Sequence, residues 1–403
     1  MSDKLVMAVN AGSSSLKYKL YRLEGLEVVC GGLVDRIGHE DGIFKLTYNG
    51  ETTKEVLPIM DHHKGVELIL NALTSKGIVK DKNDIVAIGH RVVQGGKYFS
   101  KSALFDADTE KKIADLTPLD PLHAPAHLMG YHAFKEAIPG AVAIAVFDTA
   151  YHQTMEEEDY LFPIPYELSE KYDCRRYGAH GTSHRYLAEK ALATYLKGQE
   201  DTKIITCHLG SGSSLAAIHN GKVVATSMGL TPLGGVMMGT RSGDLDPSVS
   251  YYLAEQMHLS NQEVYDLLNK KSGFLGVSGL SNDTRDVEDG YLNGDRRCII
   301  ASHLFARRVA DYIGQYFVRL GGVDLIIFSA GIGENSAFYR KLVLDRVKDA
   351  LHIVIDEKEN EEAFGGKEEL ISAPESAVKV AVIPTDEEKM IASDAVKAYE
   401  GKL

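Results

Sequence analysis

Two arginines stand out for their neighbours. Arg91 follows Gly89-His90 at the end of an apolar run, and Arg241 lies within Gly239-Thr240-Arg241-Ser242-Gly243-Asp244. A lone arginine is usually a solvated surface charge. Flanking glycines alter that expectation because they let a ligand come close, and a guanidinium matches carboxylate or phosphate through paired hydrogen bonds. Asp148 ends another apolar run, where a carboxylate suits metal or proton chemistry, or a helix cap. Two Gly/Ser stretches, Gly12-Ser13-Ser14-Ser15 and Gly210-Ser211-Gly212-Ser213-Ser214, could hold phosphates on backbone N–H groups and hydroxyls. Either one alone reads equally as a tight hairpin. Gly234 to Arg241 comes nearest a Walker A loop but lacks its Lys-Ser/Thr ending. Gly331-Ile332-Gly333-Glu334-Asn335-Ser336 lacks the third glycine of a dinucleotide fingerprint, which disfavours a Rossmann dehydrogenase. His123 and His127 are spaced four apart, as metal ligands can be. Pro121 and Pro125 interrupt a helix there, however, and no HExxH occurs. His127 therefore reads as a surface or hydrogen-bonding residue, with His123 open.

The elements that must carry these groups follow from apolar spacing. Lys4–Val9 is a short strand, stopped by the first Gly/Ser turn, and alternation resumes at Leu16, Tyr18 and Leu20. Asn49-Gly50 signals a hairpin. Helical spacing runs from Gly65 to Lys76, and Ile85–Ile88 and Ala141–Phe147 are buried strands. The second half repeats this grammar: a strand at Lys203–Cys207, the second Gly/Ser turn, a strand at Leu215–Ile218 and an Asn220-Gly221 turn. An amphipathic helix covers Ser302–Leu320 and is closed by Gly321-Gly322. Strands at Val323–Phe328 and Val378–Ile383 complete the pattern. The repetition implies two similar α/β lobes, with chance recurrence of common turns as the alternative.

Length and composition set the frame. At 403 residues the chain exceeds one ordinary core, and 44% hydrophobic with 25% charged residues is ordinary for a globular protein. The net charge of −13, with no basic block, argues against nucleic acid or an anionic membrane as partner. The four cysteines show no CxxC, which fits a reducing compartment. There is no signal-like h-region and no apolar run long enough for a membrane span. A cytoplasmic location is expected.

Taken in order, Val9-Asn10-Ala11-Gly12-Ser13-Ser14-Ser15-Leu16-Lys17, Tyr177-Gly178-Ala179-His180-Gly181-Thr182-Ser183-His184, Met238 to Pro247 and Ala330 to Asn335 closely resemble the acetate kinase family, across essentially the whole chain. The resemblance implies an α/β fold of two duplicated actin-like (ribonuclease H-like) lobes with an ATP cleft between them, and a homodimer. The lobes would be residues 1–150, completed by 386–403, and residues 151–385, which would bind nucleotide and carry the dimer interface.

Position by position, Asn10 and Glu387 match the family's magnesium site, where Mn²⁺ is a possible substitute. Ser13, Ser15 and Lys17 match its first phosphate loop. His208, Leu209, Gly210, Ser211 and Gly212, then Asp283, Thr284 and Arg285, then Gly331, Ile332, Gly333, Glu334 and Asn335 match its ATP-binding stretches. Arg91 and Arg241 match the arginines flanking acetate and the transferring phosphoryl group. His180 matches the transition-state stabiliser, His123 a supporting histidine and Asp148 the essential carboxylate. Val93, Leu122, Ala179 and Pro232 match the acyl pocket. Three positions depart: Ser211 stands where Asn is usual, Asp386 where Asn is frequent, and Ala179 where Phe is usual, which would leave room for a longer acyl chain. The implied reaction is reversible transfer of the ATP γ-phosphoryl group to acetate, giving ADP and acetyl phosphate. Acetate is already ionised and needs no general base, so positioning and electrostatics should dominate, with Asp148 serving magnesium or water. A propionate or short-chain acyl kinase is the near alternative, and a chaperone-like ATPase of the same superfamily a more distant one.

Overall fold

The computed structural model describes residues 4–121 and 123–403. The chain divides into two compact units, Met1–Gln153 with Asp386–Leu403, and Thr154–Thr385.

In the first unit, eight strands form one sheet: β1 (Leu5–Ala11), β2 (Ser15–Arg22), β3 (Val28–Asp35), β4 (His39–Tyr48), β5 (Glu51–Ile59), β6 (Ile85–Val92), β7 (Ala103–Leu104) and β8 (Val142–Phe147). Their order is β5-β4-β3-β2-β1-β6-β8-β7. β1 to β5 form an antiparallel meander, and β6 and β8 extend it in parallel. The Asn49-Gly50 signal holds because both residues adopt the left-handed conformation that a two-residue hairpin needs (φ 49° and 80°). One face buries Leu16, Tyr18, Val34 and Phe44 with Val66 and Ile69 of the helix His62–Ser75. Elsewhere Val6, Ala8 and Ile144 pack with Ile391, Ala392 and Ala395 of the helix Glu387–Tyr399. That last contact is close: a Cβ on Gly89 would lie 2.5 Å from Ile391 Cγ2.

The second unit holds β9 (Lys203–Leu209), β10 (Ser213–His219), β11 (Lys222–Thr226), β12 (Leu325–Ser329), β13 (Glu369–Leu370) and β14 (Lys379–Val382), ordered β11-β10-β9-β12-β14-β13. This repeats β3-β2-β1-β6-β8-β7 strand for strand. Directions agree too: an antiparallel hairpin pair, two parallel neighbours and a short antiparallel edge strand in each sheet. The Gly/Ser turns therefore occupy the same place, between the first two strands of each repeat, and the duplication is real.

Two local expectations change. The long helix runs Arg296–Leu320, beginning six residues before the expected Ser302, because Asp295 caps it by accepting from the Cys298 N–H. Pro125 does not break a helix. It sits in the first turn of Ala124–Ala137, where a missing N–H costs nothing. Among the described residues no helix is long and apolar enough to cross a membrane, and all four cysteines are free thiols.

Candidate active site

In the first unit the site forms where β1, β6 and β8 end. The parallel register pairs Arg91 with Val146 and Val92 with Phe147, so Arg91 and Asp148 meet across neighbouring strands although 57 residues apart. Arg91 Nε donates to Asp148 Oδ1 (3.0 Å) and Oδ2 (3.2 Å), and Nη2 donates to Oδ2 (2.6 Å). The Asp148 side chain is 2% exposed and that of Arg91 20%. Burial works against the Arg91 charge, but Asp148, Glu387 and Glu388 outweigh it and push its pKa up. Nη1 has no hydrogen-bond partner among the described residues and remains available to an anion.

The helix Glu387–Tyr399 presents Glu387 and Glu388 in its first turn, where the helix dipole favours negative charge. Its cap is Asp386, which accepts from the Lys389 N–H, so this departure from the family pattern does capping work. Burial raises the Glu387 pKa; Arg91 opposes that, and Asp148 and Glu388 add to it. Lys17 ion-pairs with Glu388, and Lys19 lies 3.5 Å from Asp386. Asn10 pairs with Lys17 across β1 and β2, at the mouth of the first Gly/Ser turn, where Ser13 is exposed and Ser15 half-buried.

His123 immediately precedes the helix Ala124–Ala137, and its side chain turns to Asp120, Nδ1 lying 2.6 Å from Oδ1. Its ring stacks on that of His127, centroids 6.1 Å apart, so the two histidines share a face despite the prolines. His127 spends both ring nitrogens on the backbone, on the Ala11 carbonyl and the Val93 N–H, which leaves it none for a metal. Asp120, only three residues before His123, is a site residue that the sequence reading missed; its buried carboxylate is the local partner of that ring. Val93 follows β6 and is half-buried. Leu122 lies outside the described residues.

In the second unit His180 is held in the left-handed conformation at the start of the helix Gly181–Ala193. Its Nδ1 is 2.8 Å from Ser214 Oγ, and its ring stacks on His208 at 4.1 Å. His208 Nδ1 in turn meets Ser183 Oγ at 2.8 Å. A Cβ on Gly212 would lie 3.3 Å from Arg241 Nη1 and 3.5 Å from His180 Nε2, so both side chains rest against the turn at this glycine. Arg241 Nη1 donates to the Pro232 carbonyl (3.3 Å), and burial lowers the Arg241 pKa. Among the described residues it forms no ion pair. An arginine so placed lacks an anion.

Ala179 is buried in a small cluster with Met228 and Met238. These two adaptable side chains take up the space beside it, which counts against the expected extra room. Arg176 fixes this wall by donating through Nη1 to the carbonyls of Thr226, Ser227 and Met228.

A cavity of about 660 Å³ lies beside the second Gly/Ser turn. It gathers Gly210, Ser211, Asp283, Thr284, Arg285, Gly331, Ile332 and Asn335 from three separate stretches of sequence. Ser336, at the end of the Gly331 stretch, also lines it, as do Asn282, Glu288 and Phe364, which gave no sequence signal. His208, Leu209, Gly212, Gly333 and Glu334 do not line it. Glu334 is turned inward, accepting from the backbone N–H groups of Ala330 (2.7 Å) and Thr385 (3.1 Å), and so shapes the loop. Size, glycine backbone and an apolar wall of Ile332 and Phe364 suit a nucleotide.

A sheet repeated in the two units, with a Gly/Ser turn between the first two strands of each copy, is the α/β fold of duplicated actin-like (ribonuclease H-like) lobes. A profile of the acetokinase family matches residues 5–393. The acetate kinase of Anoxybacillus flavithermus is 49% identical over 392 residues, covering 97% of this chain and 98% of that one. The crystal structure of Porphyromonas gingivalis acetate kinase superposes with a TM-score of 0.93 at 43% identity, covering 98% and 99% of the two chains. That of a propionate kinase from Francisella tularensis gives 0.90 at 38% identity, covering 97% and 98%. The chain belongs to the acetokinase family, whose activity is phosphorylation of acetate.

Proposed function

We propose that the chain transfers the γ-phosphoryl group of ATP to acetate by direct in-line displacement, reversibly, giving ADP and acetyl phosphate. The observation that carries this reading is Arg241: a half-buried guanidinium without a carboxylate partner among the described residues, set against the Gly212 turn beside His180. A carboxylate oxygen attacks the γ-phosphorus as the bond to the β,γ-bridging oxygen breaks, and no proton has to move. Arg91, oriented by Asp148 and with Nη1 spare, holds the acetate carboxylate. Asp148 thus acts through Arg91 rather than as a base. Arg241 and His180 stabilise the charge spread over the equatorial phosphoryl oxygens. His123, oriented by Asp120, supports them. The cavity of about 660 Å³ receives the nucleotide, and the family resemblance assigns Ser13, Ser15 and Lys17 to phosphate binding.

The donor set fits a hard divalent ion. The side chains of Asn10 and Glu387 make no hydrogen bond among the described residues and offer oxygen ligands. With too few carboxylates for an all-protein cage, magnesium (or manganese) would take its remaining ligands from phosphate and water, supplying charge neutralisation to the nucleotide. The family resemblance assigns Val93, Leu122, Ala179 and Pro232 to the acyl group, and the methionines beside Ala179 favour acetate over longer acids. The four free thiols support a cytoplasmic location.

A homodimer is part of the same reading. The helix Pro247–Met257 buries none of its residues, and exposes Tyr251 (71%), Tyr252 (62%) and Met257 (54%). Such an aromatic surface suits a protein interface.

The test of function is a hydroxamate assay with ATP over acetate, propionate and butyrate, together with the Arg241→Ala variant. Acetyl phosphate formation that survives in Arg241→Ala at near-normal rate would overturn the mechanism.

A further inference from the structure

His127 is 2% exposed in the first turn of the helix Ala124–Ala137. Its Nδ1 is 2.9 Å from the carbonyl oxygen of Ala11, and its Nε2 is 3.1 Å from the backbone N of Val93. A carbonyl only accepts and an amide N–H only donates, so Nδ1 carries the proton and Nε2 the lone pair. A single neutral tautomer satisfies both partners. Burial keeps the ring in that state, lowering its pKa to about 4. The partners are informative. Ala11 opens the first Gly/Ser turn, and Val93 follows Arg91 by two residues on the acyl wall. A second contact presses the same helix onto the turn: a Cβ on Gly130 would lie 2.5 Å from Ala11 Cβ.

We propose that His127 is a positioning residue for the phosphoryl transfer, one imidazole tying the phosphate-facing turn of the first unit to the backbone that carries the acetate-facing wall. The inference rests on the reading of Arg91 and Val93 as the acetate side of the site. Its chemistry makes the two ties separable. Asparagine places an amide near the position of Nδ1, so His127→Asn retains a donor for Ala11 and leaves the Val93 N–H without an acceptor. Glutamine reaches the position of Nε2, so His127→Gln retains an acceptor for Val93 and leaves Ala11 without a donor.

The experiment is steady-state kinetics of the full-length variants with acetate and ATP, alongside thermal melts and Arg91→Ala. His127→Asn should raise the acetate KM by about tenfold or more with a smaller loss of kcat. His127→Gln should lower kcat by about tenfold while leaving the acetate KM within about threefold, on the scale that small misplacements of reacting groups cost. Should one variant not fold, the other still carries its half of the split. Kinetics unchanged in both, with only the melting temperature lowered, would make His127 a packing residue and overturn the proposal, as would equal effects on both parameters in both variants. Normal activity of Arg91→Ala would instead remove the acetate-side reading, and this inference with it.

Discussion

Replacing Arg91 by alanine tests the charge clamp most directly. Arg91 makes three contacts with Asp148, at 3.0, 3.2 and 2.6 Å, and offers its remaining Nη1 to substrate. Loss of one preorganised transition-state donor costs about 10²–10³ in kcat, or roughly 3–4 kcal/mol. Stability should fall as well. Asp148 is 2% exposed, and stripping one partner from a buried pair costs about 3–5 kcal/mol. The informative measurement is a double-mutant cycle with Asp148→Asn, read both as kcat/KM and as urea unfolding. If Asp148 acts by orienting Arg91, then in the Arg91→Ala background Asp148→Asn has little further kinetic effect, and the two losses fail to add. Independent, additive losses would refute the orienting role and return Asp148 to metal or water. A kcat within tenfold of wild type in Arg91→Ala would refute the clamp altogether.

Glu387→Ala should raise the Mg²⁺ concentration for half-maximal rate by about tenfold or more, with the acetate KM little changed; overlapping magnesium titrations would make Glu387 a plain helix-end carboxylate. His90 is buried against Phe105, Tyr131 and Phe134, both ring nitrogens unpaired, and burial lowers its pKa from 6.5 to about 3. The unfolded chain alone binds that proton between those values, so stability is full above pH 6.5 and falls by about 1.4 kcal/mol per pH unit below it. His90→Phe should flatten the unfolding profile from pH 6.5 to 4 by that slope, and an unchanged slope rejects the assignment. With Met228 and Met238 beside it, Ala179→Phe should overpack the wall and cost about 1–3 kcal/mol in unfolding free energy without sharpening selectivity. A stable variant with a higher acetate-to-propionate ratio of kcat/KM would show that position 179 faces the acyl chain.

What the sequence made legible was local. Asn49-Gly50, Asn220-Gly221 and the Gly321 cap each encode their conformation in adjacent residues, and all three have positive φ. The strand ends carrying Arg91 and Asp148 were visible as apolar runs, but their meeting depends on the register of β6 with β8, which no short stretch records. Pro125 misled because proline is neutral in a first helical turn and disruptive further in, and only the helix start distinguishes the cases. The long helix began early because its apolar stripe continues through Cys298 and Ala301, both buried, beyond the more obvious aromatic residues. Phe364 was missed because it reaches the cavity through tertiary packing, whereas Asp120, three residues before His123, lay within reach of a local reading and was overlooked.

The helix Glu387–Tyr399 has a consequence for how the protein is made. It closes the apolar face formed by Val6, Ala8 and Ile144, in a unit whose main segment ends at Gln153. Thr154–Thr385 is one unbroken stretch, with every segment of its core in sequence. The first unit is not, since its covering helix is synthesised about 230 residues after its main segment. At about 5–20 residues per second, that is a wait of roughly ten to fifty seconds with an open apolar surface. The segment synthesised first is thus the one finished last. Because Glu387 and the capping Asp386 travel on that same helix, a chain released before it gains neither the closed core nor the acidic end of the site.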